Sequence, residues 1–132
     1  MSFESLKELT DLTDSDLEFL TQKCFSEAEE VEGHVFYKGV DRGTYAQTTF
    51  SFRNTRYQMR KTQLSLFLKL KRLGQSMEGW GEGRSVSHLC HRKSCYKKEH
   101  LVLETLEENC ERDECKRLQR CVGHQHRAQC IL

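Results

Sequence analysis

Apolar residues are scarce in this chain and nowhere form a long run. Only 36% of the 132 residues are hydrophobic. One domain of this length buries roughly two-thirds of its unfolded surface, and here it has little apolar material with which to do so. No stretch approaches the ~20 apolar residues of a membrane-spanning helix, so no membrane partner is expected. Met1 to Leu12 is mixed and acidic and lacks the apolar centre of a secretory signal. The seven cysteines are an odd count interleaved with histidines, which argues against a disulfide framework. The expected setting is an intracellular reducing compartment, nucleus or cytoplasm.

What the chain does have is concentrated at one end. Ser85 to Cys130 holds six of the seven cysteines and five of the six histidines. Zinc takes thiolate and imidazole ligands in a tetrahedron, and Cys90, Cys95 and His100 are spaced to close on one ion within a short loop. Cys115, Cys121, His124 or His126, and Cys130 form a second cluster. Structural zinc contributes on the order of 10 to 16 kcal/mol apparent per site, comparable with the net stability of a whole domain. Two Zn²⁺ ions therefore make up for the small core.

Charge is as unevenly spread as cysteine. Residues 1–33 carry ten acids and two lysines, residues 34–98 fourteen basic residues and three acids, and the rest seven acids and five basic residues, for a total of +1. A basic middle block inside a near-neutral protein fits a phosphate-binding face, and a solvated surface would read the same way. The division expected is one domain over 1–132: an acidic helical segment (1–33), a basic sheet and helix (34–84), and the Cys/His-rich part (85–132).

Helical spacing marks Ser2 to Leu12, and a capping box at Ser15-Asp16-Leu17-Glu18 opens a helix to about Phe25. His34 to Lys38 and Thr44 to Arg53 read as strands joined by a turn at Gly39 to Gly43. Phe50 and Phe52 share one face of the second, and Thr49, Ser51 and Arg53 the other. Arg56 to Leu73 is the longest helical pattern and stops at Gly74. Trp80, among Gly79, Gly81 and Gly83, is expected in the core or on DNA. Ser85 to Leu89 alternates as a strand, and Leu101 and Leu103 mark a second. Thr105-Leu106-Glu107-Glu108 is a capping box for a helix to about Asp113. That order sets His88 at a strand end and Asn109 in the second helical turn, facing each other across a small gap.

Ser87-His88-Leu89-Cys90-His91, Cys95, Glu99-His100-Leu101, Glu107-Glu108-Asn109 and Arg112, followed by Cys115, Cys121, His124 and Cys130, closely resemble the His-Cys box of homing endonucleases, a branch of the His-Me finger (ββα-metal) nucleases. The resemblance implies an α+β fold with a ββα-metal core, an upstream antiparallel sheet and flanking helices. It implies a DNA endonuclease in which His88 activates water and Asn109 holds one catalytic Mg²⁺ or Mn²⁺. In such enzymes a distant upstream cysteine completes the first zinc site, which makes Cys24 the candidate here, with Cys110 or His91 as substitutes. His124 fits the second site by the Cys-x-x-His pattern, and His126 by its shorter gap to Cys130. An upstream arginine grips the scissile phosphate; Arg53, Arg56 and Arg60 are candidates in that order. Arg112 is expected to contact phosphate or brace the site. The partner implied is double-stranded DNA, with a homodimer as the assembly. Two other classes fit the residues: a non-catalytic zinc module binding DNA or protein, and a nuclease-derived subunit that needs a partner.

Overall fold

The computed structural model describes residues 1–38 and 45–132; the expected Gly39 to Gly43 turn lies outside them. The first helix, α1 (Phe3–Lys7), buries Phe3 and Leu6. It stops at Lys7, short of the Leu12 that its apolar spacing suggests. In α2 (Asp14–Phe25) the N-cap is Thr13, whose side chain accepts from the Asp16 amide while Asp16 accepts from the Thr13 amide. The capping box expected at Ser15 is thus formed two residues earlier.

Two hairpins follow, and both depart from the expected pairing. β1 (Ala28–Val31) pairs antiparallel with β2 (His34–Tyr37). Glu32 (φ 52°) and Gly33 (φ 81°) form the two-residue link, the left-handed pair that a tight hairpin of type I′ requires. β3 (Gln47–Phe52) pairs with β4 (Thr55–Arg60) across Arg53 (φ 51°) and Asn54 (φ 61°). Residues 55–60 are therefore a strand, not the first turns of the long helix. Tyr57 and Met59 are buried, while Arg56, Gln58 and Arg60 point to solvent, and that period of two outweighs the helical reading.

α3 (Lys61–Leu73) then runs through the middle of the molecule and ends on Gly74 at φ 65°. Leu64, Leu66 and Phe67 are fully buried in one apolar cluster with Phe3, Leu20, Phe50, Tyr57, Trp80 and Leu101. Trp80 lies in that core, its ring centroid 4.7 Å from Phe3. β5 (Arg84–His88) pairs with β6 (Leu101–Thr105), with a single 3-10 turn at Lys98–His100 before β6. α4 (Leu106–Leu118) starts at the Thr105/Glu108 capping box and runs five residues past the expected Asp113. The result is a small α+β fold of antiparallel strand pairs around α3, with the strand, loop, strand, helix unit of a His-Me finger at its C-terminal end. Among the described residues no helix is long and apolar enough to cross a membrane.

Candidate metal centres

Two groups of Cys and His side chains converge, each with its donor atoms within 4.8 Å of one another: His34, Cys90, Cys95 and His100, and Cys115, Cys121, His124 and Cys130. In the first, Cys95 Sγ is 3.6 Å from His100 Nδ1. In the second, Cys115 Sγ and Cys130 Sγ each lie 3.4 Å from His124 Nε2. A tetrahedron with the usual Zn–S and Zn–N lengths has S···N edges of roughly 3.6 Å, so both donor sets fit zinc. The buried His34 Nδ1 has no hydrogen-bond partner, which a metal-binding pocket explains and a packed protein core does not.

The fourth donor of the first group is His34, not Cys24. His34 follows the tight Glu32-Gly33 turn, and its ring stands edge-on to His100 with centroids 5.2 Å apart. The β1–β2 hairpin is seated on the metal loop: Tyr96 N donates to Val35 O at 3.0 Å, and Phe36 packs with Cys90 and Cys95. Cys24 sits at the end of α2 inside the main core, fully buried. Burial pushes its thiol up to about 12, and its Sγ faces Lys61 O at 3.6 Å. It is a small core residue. The signal for His34 was local, a histidine directly after a Glu-Gly hairpin turn, but only the fold brings it to residue 90. Cys110 is exposed on α4 and takes no part in either group.

In the second group His124 is buried and His126 exposed, which resolves the choice left open by spacing. Amide donors surround its sulfurs: Val122 N lies 3.4 Å from Cys115 Sγ and Cys130 N lies 3.2 Å from Cys121 Sγ. Three thiolates and one imidazole around Zn²⁺ leave a net negative charge, and Arg112 answers it by donating Nη1 to Cys130 Sγ at 3.3 Å. Arg112 is 1% exposed. Its Nε and Nη2 form a bidentate pair with Glu104 at 2.7 and 2.6 Å, and Nη2 also donates to Ala128 O. Four of its five N–H donors are thus engaged inside the protein, and the buried side chain offers a phosphate little.

Between the two groups lies the β5–β6–α4 unit. His88 closes β5. Its Nε2 is buried with no partner, while the ring bonds the Lys93 backbone, which leaves Nδ1 as the donor and Nε2 as the free lone pair. Burial holds its pKa down at about 4, so the imidazole is neutral. The Tyr45 ring lies 6.0 Å from it, and the Arg60 guanidinium stacks 4.0 Å above Tyr45. Asn109 is exposed on α4, and it meets Ser87 rather than His88, with Ser87 Oγ 2.8 Å from Asn109 Oδ1. Asn109 therefore meets β5 one residue before His88, at the same strand end.

The basic block is not uniformly available. Lys61 is buried and donates to Cys24 O at 2.7 Å, capping α2, and Lys69 donates to Leu101 O. Arg53 sits in the β3–β4 turn, where it holds Asp11 at 2.8 Å and Asp16 at 2.9 Å. Glu30 takes Lys97. Part of the acidic segment is thus spent on the protein's own cations. The exposed face of the second hairpin carries Gln47, Thr49, Ser51, Arg56, Gln58 and Arg60.

These features define a small α+β domain with two Cys₂His₂- or Cys₃His-type clusters framing a ββα unit. The family described as the zinc-binding loop region of homing endonuclease matches residues 21–132, nearly the whole chain, and the protein belongs to that family. No curated protein and no solved structure matches it.

Proposed function

We propose that this protein is a metal-dependent endonuclease hydrolysing phosphodiesters of double-stranded DNA to 3′-hydroxyl and 5′-phosphate ends. The observation that carries the reading is the end of β5, where His88, with an unpartnered Nε2, stands next to Ser87, which holds the exposed Asn109. Both clusters brace that strand end, and their zinc ions would supply folding free energy.

His88 is the general base. The Lys93 backbone fixes its Nδ1 proton, so Nε2 accepts the proton of the attacking water, a contribution of about 10²- to 10⁴-fold in rate. Asn109 offers one neutral oxygen donor, which suits a hard ion that keeps its waters and takes its remaining ligands from phosphate. Mg²⁺ or Mn²⁺ held there would stabilise charge on the phosphorane and on the leaving 3′-oxygen. Arg60 grips the scissile phosphate: it is exposed and stacks on Tyr45, whose ring is the neighbour of His88. Arg53, the first candidate by sequence, is held instead by two aspartates. The polar face of the β3–β4 hairpin lies in the major groove, which admits a two-stranded ribbon.

A second reading, binding without cleavage, draws on the engagement of Arg53 and Arg112 in internal pairs. Incubation of the zinc-loaded protein with supercoiled plasmid separates the two. Nicking or linearisation that requires added Mg²⁺ or Mn²⁺ and is abolished in His88→Ala supports the nuclease. Plasmid that is bound and left intact supports the module.

A further inference from the structure

Ser87 has no part in zinc binding or in proton transfer, yet it is among the most buried polar residues, 1% exposed, beside Glu104 at 4%. In the β5–β6 register Ser87 pairs with Val102 and Ser85 with Glu104. Ser87 and Glu104 are therefore diagonal neighbours on one face, the face that α4 covers with Asn109. The hydroxyl lies between two groups: it donates to Asn109 Oδ1 at 2.8 Å, and it sits against the Glu104 carboxylate, which its hydrogen bonding helps to keep ionised. Glu104 is ionised and anchored. Burial pushes its carboxyl up, but bonds from Arg112 and Ser87 and the charges of Arg112 and Arg127 hold it below the ordinary carboxylate value.

One hydroxyl has one proton and two acceptor sites, and an ionised carboxylate only accepts. With Oδ1 turned toward Ser87, two acceptors compete for the single proton. A half-turn of the amide puts Nδ2 there instead, and the hydrogen-bond network decides between the two. Nδ2 then donates to Oγ, Oγ donates to Glu104, and every group is satisfied. The same half-turn directs Oδ1 outward from α4. We infer that Ser87, backed by the Glu104–Arg112 pair, is a positioning residue that orients the Asn109 amide with its nitrogen inward and its oxygen free for a divalent cation. The chain of bonds continues through Arg112 to Cys130 Sγ, so three side chains, Ser87, Glu104 and Arg112, link Asn109 to the second metal cluster. The inference rests on the reading of Asn109 as the catalytic-ion ligand, but its geometric part does not depend on cleavage.

The test uses the full chain loaded with two zincs, and no DNA. In the unsubstituted protein, NMR should show cross-peaks from the Asn109 Nδ2 protons to the Ser87 Hβ protons, and slower exchange of those protons with water than at exposed asparagines. Ser87→Ala should speed that exchange at least fivefold and weaken Mn²⁺ binding at Asn109, read by paramagnetic broadening, about tenfold, the range expected for loss of an outer-shell partner. Its zinc content should stay at two per chain, and Ser87→Thr, which keeps the hydroxyl, should restore both readings. Absence of the cross-peaks in the unsubstituted protein, or exchange and Mn²⁺ binding unchanged in Ser87→Ala, overturns the inference even if plasmid is cleaved. Cross-peaks and altered exchange in a protein that never cleaves would uphold the orientation and sink the nuclease reading instead.

Discussion

The two Cys/His clusters solve the same chemical problem in opposite ways. The second draws its ligands from Cys115 to Cys130, a contiguous piece that begins on α4 and ends in the tail. The first takes three ligands from the loop between β5 and β6 and its fourth from His34, on a hairpin 56 residues upstream of Cys90. Cluster two fastens a tail that has little apolar surface of its own. Cluster one joins two distant parts of the chain, and its thiolate count leaves Zn²⁺ neutral, whereas the second must import the positive charge of Arg112.

The largest effect should come from removing the metal. Chelation takes away on the order of 10 to 16 kcal/mol per structural site, so the β5–β6–α4 unit should lose amide-exchange protection while α3, packed in the apolar core, retains some. If the two clusters differ as argued, stepwise chelation followed by NMR should free the tail and the β1–β2 hairpin in separate events; simultaneous release of both would merge them into one cooperative unit. Next in size is Arg112→Ala. It takes the bidentate partner from a buried Glu104, leaving it Arg127 alone, and strips the charge partner from Cys130. Breaking a buried pair by removing one member costs about 3 to 5 kcal/mol, to be read from urea denaturation of the zinc-loaded protein.

His34→Ala and Cys24→Ala sharpen the contrast further, since only one of them touches metal. His34→Ala should leave the first site with three donors and weaken its zinc, in competition with a chelator, by more than the roughly 10- to 100-fold that losing an outer-shell partner costs. Zinc at the second site should not change. Cys24→Ala should keep both zincs at full affinity and lower stability only by about 1 kcal/mol, the centre of the range for core substitutions. A Cys24→Ala protein with one zinc would reverse the assignment.

The same contrast explains what could be read from the sequence. The three cysteines of the second cluster, three ligands of the first, the Thr105 capping box and the β5–β6 pair follow from spacing and local chemistry, whereas the choice of His124 over His126 needed the fold, which buries one and exposes the other. His34 required knowing that a Glu-Gly turn folds β1 onto β2, and then that the hairpin docks on a loop far along the chain. Residues 56–60 read as helix because Tyr57, Arg60 and Leu64 share helical spacing with α3. The competing signal was Arg53-Asn54, a pair able to adopt two left-handed conformations and so to turn β3 back on itself. The relation of Ser87 to Asn109 was hidden for a simpler reason: which residue of β5 meets α4 depends on how helix and strand pair pack, not on local spacing.

The smallest effect on structure, and the sharpest on function, separates two arginines of one hairpin. Arg53 is exposed at the turn and held by Asp11 and Asp16; Arg60, at the other end of β4, is exposed and stacked on Tyr45 beside His88. Surface ion pairs contribute little to stability, so neither substitution should change zinc content or shift the melting temperature by more than a degree or two. Arg60→Ala should lower plasmid cleavage by about 10²-fold or more, the scale of losing one preorganised donor to a transition-state oxygen, while Arg53→Ala should leave the rate within about threefold. Binding assays distinguish gripping from mere attraction. If Arg60 only attracted DNA, cleavage at saturating DNA would recover, and the slope of log affinity against log salt would fall by roughly 0.9 for the one lost phosphate contact. If it holds the scissile phosphate, the deficit persists at saturation. Equal loss in both variants would move the phosphate contact off Arg60 and onto the hairpin as a whole.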